Sequence, residues 1–271
     1  MRNIFLSILI FSSFSANGAL AAVLRVPQDF KTVSGAVEAA RPGDTVVVDE
    51  GVYRENVVIN KGIALRAKKG PGSAVIQAAI KSDPAVKIID ASGVTVEGIT
   101  ATGSAASGII LVNASDCTLK DNHSVSNVYG ISLYNSRGNT LTGNVTNSNE
   151  NYGIYLERAS NNTLKENTSN MNKDKGFFIS YSNNNIVVRN NANMNTWNGM
   201  TVWSSHNNVF KENMTLRNTY GIVLSDSANN ELVDNTTLPN VFIILPIFLV
   251  YLGILTYLIQ KNFLRFVLGI K

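Results

Sequence analysis

The chain has 271 residues, 45% hydrophobic and 15% charged, with 23 Lys and Arg against 19 Asp and Glu. Four of the basic residues (Arg2, Lys261, Arg265 and Lys271) lie at the two ends, so 23 less 4 leaves 19 basic against 19 acidic residues elsewhere. A balanced body gives no electrostatic case for nucleic acid, and the lone Cys117 excludes an internal disulfide.

Residues 1–21 have the layout of an export signal. Arg2 supplies the basic start, residues 4–14 a short apolar core, and Ala19-Leu20-Ala21 a small-residue cleavage site. That core is too short to span a bilayer.

Residues 22–89 form an N-terminal cap and the first, irregular coils. Asp29 is placed to cap a helix over 31–40, with Phe30, Val33, Val37 and Ala40 on one face. Arg41-Pro-Gly-Asp44 breaks it, and strands are expected at 45–48, 57–59, 63–67, 75–77, 86–89 and 94–99. A helix at this end would block an exposed strand edge.

Residues 90–237 are repetitive. Gly108-Ile-Ile-Leu recurs as Gly130-Ile-Ser-Leu, Gly153-Ile-Tyr-Leu, Gly176-Phe-Phe-Ile, Gly199-Met-Thr-Val and Gly221-Ile-Val-Leu, in steps of 22 or 23 residues. A second phrase keeps the beat: Cys117-Thr-Leu, Asn139-Thr-Leu, Asn162-Thr-Leu, Asn185-Ile-Val, Asn208-Val-Phe and Asn230-Glu-Leu. Such a period marks a solenoid, and apolar alternation (Ile154, Leu156) within each repeat is that of strands. The repeats lack leucine-rich spacing and room for a helix, so each coil holds three short strands of a parallel β-helix. Asn122, Asn144, Asn167, Asn190, Asn213 and Asn235 make one column, and Asn127, Asn149, Asn172, Asn195 and Asn218 another. Stacked amides in such columns can bond to one another along the solenoid.

Residues 241–259 carry no charge and suit a single transmembrane helix, with a basic tail at 260–271 on the cytoplasmic side and the solenoid outside.

The Asn-Asn-Thr-Leu and Gly-Ile-Tyr-Leu phrases resemble the NosD/CASH group of right-handed parallel β-helix proteins over about 90–237. Handedness comes from that resemblance alone. The stretch from Asp29-Phe-Lys-Thr-Val through Gly51-Val-Tyr-Arg-Glu-Asn-Val-Val-Ile59 is similar to the opening of pectinesterases. The group spans accessory proteins of copper-enzyme maturation, polysaccharide epimerases and lyases, and surface proteins, so the resemblance implies a fold more than an activity.

No cofactor or catalytic residue is expected, and the chain reads as a non-enzyme. For copper, the alternative cofactor, Met171 and Met194 share one repeat position and would be soft ligands, but the simpler expectation has them inward and filling space. Asp121-Asn122-His123 echoes an epimerase motif but lacks a second acid, and Glu166, Arg189 and Glu212 look like a structural salt ladder. The expected site is an outward aromatic wall of Tyr134, Tyr155, Phe178, Tyr181 and Trp203, which Tyr129, Tyr152 and Tyr220 would widen. Exposed rings on a rigid sheet suit a polysaccharide or a neighbouring surface or membrane protein. Of the Asn-x-Ser/Thr sequons, only Asn113 and Asn161 sit where a glycan could be attached. The whole reads as an exported, membrane-anchored, non-catalytic scaffold. The alternatives are a NosD-like accessory to copper-enzyme maturation or a transporter, and a polysaccharide lyase or epimerase.

Overall fold

The computed structural model describes residues 21–239 and 241–268. The expected export signal lies outside them save for Ala21, as do the last three residues of the expected tail. The body is an all-β parallel solenoid with three sides. One side is a ten-stranded sheet running from Val23–Val26 to Glu231–Val233, and the second an eight-stranded sheet from Val57–Ile59 to Tyr220–Ser225. The third side is less regular than expected. It has four strands between Gly51–Arg54 and His123–Val125, then single bridges at Val145, Thr168 and Asn191, then two strands.

Equivalent residues of successive coils are register partners, so the interior is built of columns. Leu119, Leu141, Leu164, Val187 and Phe210 stack on the ten-stranded side, and Ile131, Ile154, Phe177 and Met200 on the eight-stranded side. All are 0% exposed. The repeated glycine turns inward against the next corner. A Cβ at Gly153 would fall on Ser169 Oγ, and one at Gly199 would lie 2.6 Å from Thr215 Cβ.

Each repeated coil turns at corners where one residue has positive φ, as at Arg158 (49°), Asn161 (60°), Glu166 (57°) and Met171 (56°). Asparagine ladders answer the polar groups those corners turn inward. Asn144 Oδ1 accepts from the backbone N–H and the Nδ2 of Asn122, both at 3.0 Å. Its Nδ2 donates to Leu119 O and to Asn167 Oδ1, both at 2.9 Å. Four bonds satisfy the amide, and only a side chain with both donor and acceptor can pass the pattern on. The Asn127 column repeats it, with Asn149 Nδ2 donating to Asn172 Oδ1 at 3.1 Å. A third ladder runs through Asn139, Asn162, Asn185, Asn208 and Asn230.

Helix α1 (Val33–Ala39) packs Val33, Ala36 and Val37 onto the first coil. Its cap corrects the expectation. Thr32, not Asp29, is the N-cap and accepts from the Gly35 N–H at 3.1 Å. The Glu55 carboxylate, from the following coil, takes the N–H groups of Val33 and Ser34 at 3.0 and 2.8 Å. Asp29 instead closes a turn, accepting from the Arg25 N–H at 2.8 Å. At the other end, helix α2 (Val241–Leu268) follows the last strand with one residue between them. Among the described residues no helix is long and apolar enough to cross a membrane, so the span expected at 241–259 is not shown.

Candidate functional site

The outer surface of the eight-stranded sheet carries three columns of side chains. The residue before each glycine from Gly130 onward gives Tyr129, Tyr152, Lys175, Asn198 and Tyr220. The next column is Ser132, Tyr155, Phe178, Thr201 and Val223, and the third is Tyr134, Glu157, Ser180, Trp203 and Ser225. Large and small residues alternate unevenly, so rings from one coil lean over small residues of the next. Ser132 and Ser180, which face outward, are 0% and 3% exposed for that reason.

The five expected wall residues come together, but as a packed cluster. Tyr155 and Phe178 stack at 5.3 Å with 6° between planes, and Tyr134 meets Tyr155 edge-on at 5.5 Å. Trp203 lies 6.4 Å from Phe178 and 5.6 Å from Tyr181. Tyr129 and Tyr152 join them, 5.4 Å apart, whereas Tyr220 stands 59% exposed and pairs with no ring among the described residues. Tyr134, Tyr155 and Phe178 are therefore half-buried and not freely exposed, because rungs about 4.8 Å apart bring ordered rings into contact. Tyr181 and Trp203 remain open, 48% and 41% exposed.

Charged residues complete the face, and the sequence pattern did not single them out. Glu157 accepts from the Tyr155 hydroxyl at 2.7 Å and pairs with Arg158 at 3.3 Å. Lys175 pairs with Asp174 at 2.8 Å and stands 4.9 Å above the Tyr152 ring. Lys175 holds the tyrosine position of the column, a signal the sequence did carry. Arg158 reaches the face only through its corner geometry, its guanidinium 5.9 Å from the Tyr181 centroid. Burial pushes the Tyr134 and Tyr152 phenols up to about 12, with Glu157 and Asp174 respectively adding to it. Burial first, then the bond to Glu157, raises Tyr155 as well. These hydroxyls stay neutral donors across ordinary pH.

The other candidates do not gather. Met171 and Met194 are 50% and 46% exposed at the same corner of adjacent coils, which corrects the inward placement expected for them. Two thioethers are a partial shell for a soft metal. Among the described residues no group of three His, Cys, Asp or Glu side chains gathers that could hold a metal ion. His123 is half-buried on the third side, and burial lowers its pKa. Asn122 beside it is a ladder residue. Cys117 is buried, which raises its thiol pKa. Arg189 bonds Glu166 at 2.9 Å and lies 4.0 Å from Glu212, the expected salt ladder. Asn113 and Asn161 are exposed corner residues, although Asn113 donates to Asp90 at 2.9 Å.

Solved structures share this architecture. The periplasmic alginate epimerase AlgG superposes with a TM-score of 0.53 at 16% identity, covering 80% of this chain and 55% of that one. Tailspike protein 2 of an Escherichia coli O157:H7 bacteriophage gives 0.50 at 14% identity, covering 82% and 39%. At such identities the likeness is one of fold. A cell surface glycoprotein of Methanothermus fervidus is 29% identical over 128 residues, 45% of this chain. The chain spans about a fifth of that relative's length, 21%. The family model described as periplasmic copper-binding protein (NosD) matches residues 37–197 and 182–245, most of the solenoid. With its repeat phrases, glycine corners and ladders spread over that match, the chain belongs to the NosD family of parallel β-helix proteins.

Proposed function

We propose that this protein is a non-catalytic, extracytoplasmic β-helix scaffold that binds polysaccharide on its eight-stranded sheet. The observation that carries the reading is the continuous ring cluster from Tyr129 to Trp203, concentrated on one outer face. Rings fixed by a stacked backbone lose little freedom on binding, which favours contact with flat, hydroxyl-bearing surfaces. The family's periplasmic description and the cell-surface relative support an extracytoplasmic place. Removing Tyr181 and Trp203 together, as alanines, should abolish retention on polysaccharide columns while the circular dichroism spectrum is unchanged. Retention equal to wild type would sink the reading, and loss of a protein partner instead would reassign the face to protein recognition.

We infer further that α2 anchors the chain. Its described side chains alone do not make a span, but the sequence supplies an uncharged run from 241 to 260, with Lys261, Arg265 and Lys271 after it. Phe248, Val250, Tyr251 and Phe263 are each more than half exposed and would face lipid. A helix of 28 residues is about 42 Å long. Extraction with alkaline carbonate should leave the protein in the membrane pellet, and its release would remove this inference.

A second reading, an accessory protein of copper-enzyme maturation, rests on the family description and the paired exposure of Met171 and Met194. It requires Cu(I) retention against a chelator that is lost on changing both methionines to Leu. Equal retention by the variant would exclude these ligands.

A further inference from the structure

Three rings on consecutive coils stand nearly parallel. Tyr155 and Phe178 are direct register partners with 6° between planes, and Phe178 and Trp203 follow with 9°. One face of the Trp203 indole is turned towards Phe178, so the other is turned towards the next coil. There its register partner is Ser225, an exposed residue whose hydroxymethyl group is too short to cover an indole. The column of stacked rings thus ends on an open aromatic face.

Beside that face the backbone departs from what its corner favours. Tyr181 and Arg158 have φ of 48° and 49°, at a corner held in other coils by Asn135, Ser204 and Asp226. Short polar residues tolerate this conformation better than a large ring does. Tyr181 nevertheless occupies it with about half its surface exposed, tilted 47° against Trp203 and with Arg158 near its ring. Internal packing explains little of such a placement, whereas an outside contact would use it.

The charges around the cluster are matched. Glu157 pairs with Arg158 at 3.3 Å, Asp174 with Lys175 at 2.8 Å and Glu150 with Lys173 at 2.6 Å. The Tyr134 and Tyr152 phenols stay neutral. The face presents apolar rings and hydrogen-bonding groups with these charges matched, and Asp226, next to Ser225, adds an acidic group with no salt-bridge partner among the described residues.

We propose that the open face of Trp203, with Tyr181 tilted against the same indole, is a subsite for one uncharged pyranose unit, an assignment that rests on reading this sheet as a glycan-binding face. A pyranose turns a face of C–H groups to an aromatic ring and would take the position of the next ring in the column. Its hydroxyls would meet the Ser225 hydroxyl at the edge. A charged sugar finds no unpaired counter-charge among the paired groups named above.

The test is a titration of the full chain in detergent with neutral hexose oligosaccharides and with hexuronate oligosaccharides of the same length, followed by tryptophan fluorescence. A neutral oligosaccharide should bind, with affinity changing less than about twofold between about 50 and about 500 mM NaCl. Ser225→Trp stacks a protein ring on the open face without removing an aromatic contact, and should weaken binding about tenfold or more. Tyr181→Ala should weaken it as well, which keeps the assignment testable if Ser225→Trp distorts the last coil. Binding of hexuronates alone, or a steep loss with salt, overturns the neutral-sugar assignment and leaves the glycan-binding face standing. Neutral binding that neither variant alters overturns the location. No binding of any oligosaccharide by the wild type overturns both.

Discussion

The ten-stranded and eight-stranded sheets share the same coils and one interior, yet their outer surfaces are different in kind. Both turn columns of Ile, Leu, Val and Phe inward at 0% exposure. Outward, the ten-stranded sheet shows Thr118, Thr140 and Thr163 in one column and Lys120, Lys165 and Lys211 in another, edged by Glu166, Arg189 and Glu212. Exposed pairs of that kind contribute little to stability and are screened by salt. The eight-stranded sheet shows rings instead, packed in depth across four coils. The fold makes no demand for that asymmetry, because the ten-stranded sheet closes the solenoid equally well without a ring outside. What differs between two surfaces on one scaffold is where a ligand would be met.

The first way to break the comparison is to attack what the sheets share. Leu164 is 0% exposed while its neighbour Lys165 faces out. Leu164→Asp places a carboxylate among apolar columns with no partner, and should cost about 3 kcal/mol or more in urea denaturation. Lys165→Asp should change the midpoint by well under about 1 kcal/mol. Equal losses would mean the register is wrong on the ten-stranded side.

A smaller loss is expected at the corners where the ten-stranded side turns into the third side. Asn167 Nδ2 donates to Leu141 O at 2.9 Å and to Asn190 Oδ1 at 2.9 Å, and Oδ1 takes the Asn144 N–H and Nδ2 at 3.0 and 2.9 Å. Asn167→Ala leaves those groups buried and short of a partner, at on the order of 2 kcal/mol. Asn167→Asp should be no better, since a carboxylate cannot donate. A ladder that tolerates Asp would show that the amides are held by packing and that their bonds are incidental.

The inside of this molecule was legible in its sequence to a degree the outside was not. Gly153 and Gly199 recur because an added Cβ would strike Ser169 and Thr215, a steric demand repeated in every coil. Leu164 and the Asn122 column follow from the same repetition. The ladder through Asn139 and Asn162 was visible as a phrase, but Cys117 at its start hid its function as a bonded column. Met171 and Met194 sit at corners, where alternation stops predicting which way a side chain points, so they proved exposed. The helix cap was misassigned because Glu55, one coil away, supplies what Asp29 would have supplied locally. Half-burial of Tyr155 and Phe178 depends on contacts between coils, and Arg158 enters the site only through a corner.

The gentlest test separates the two surfaces without disturbing either. Tyr134 and Tyr152 titrate at about 12 in the folded chain, against about 10 for an unfolded tyrosine, and Tyr155 is raised too. Between those values the unfolded chain releases protons that the folded chain keeps. Folding stability that is fully present below pH 10 should therefore decline as pH rises towards 12. Tyr53 on the third side and Lys120 on the ten-stranded sheet are raised as well, by burial and by the bond to Glu97 respectively, so the share of the decline that Tyr152→Phe removes is what reports the eight-stranded face. Phenolate absorbance should show a late-ionising group of tyrosines, reduced by Tyr152→Phe with little change in the melting temperature at neutral pH. If all nine tyrosines ionise together near pH 10, the rings are open to water and the packed cluster does not exist. If the late group persists but unfolding is insensitive to alkali, the rings are shielded without being coupled to the coils beneath them. Either result would leave the two surfaces alike in their hold on the fold.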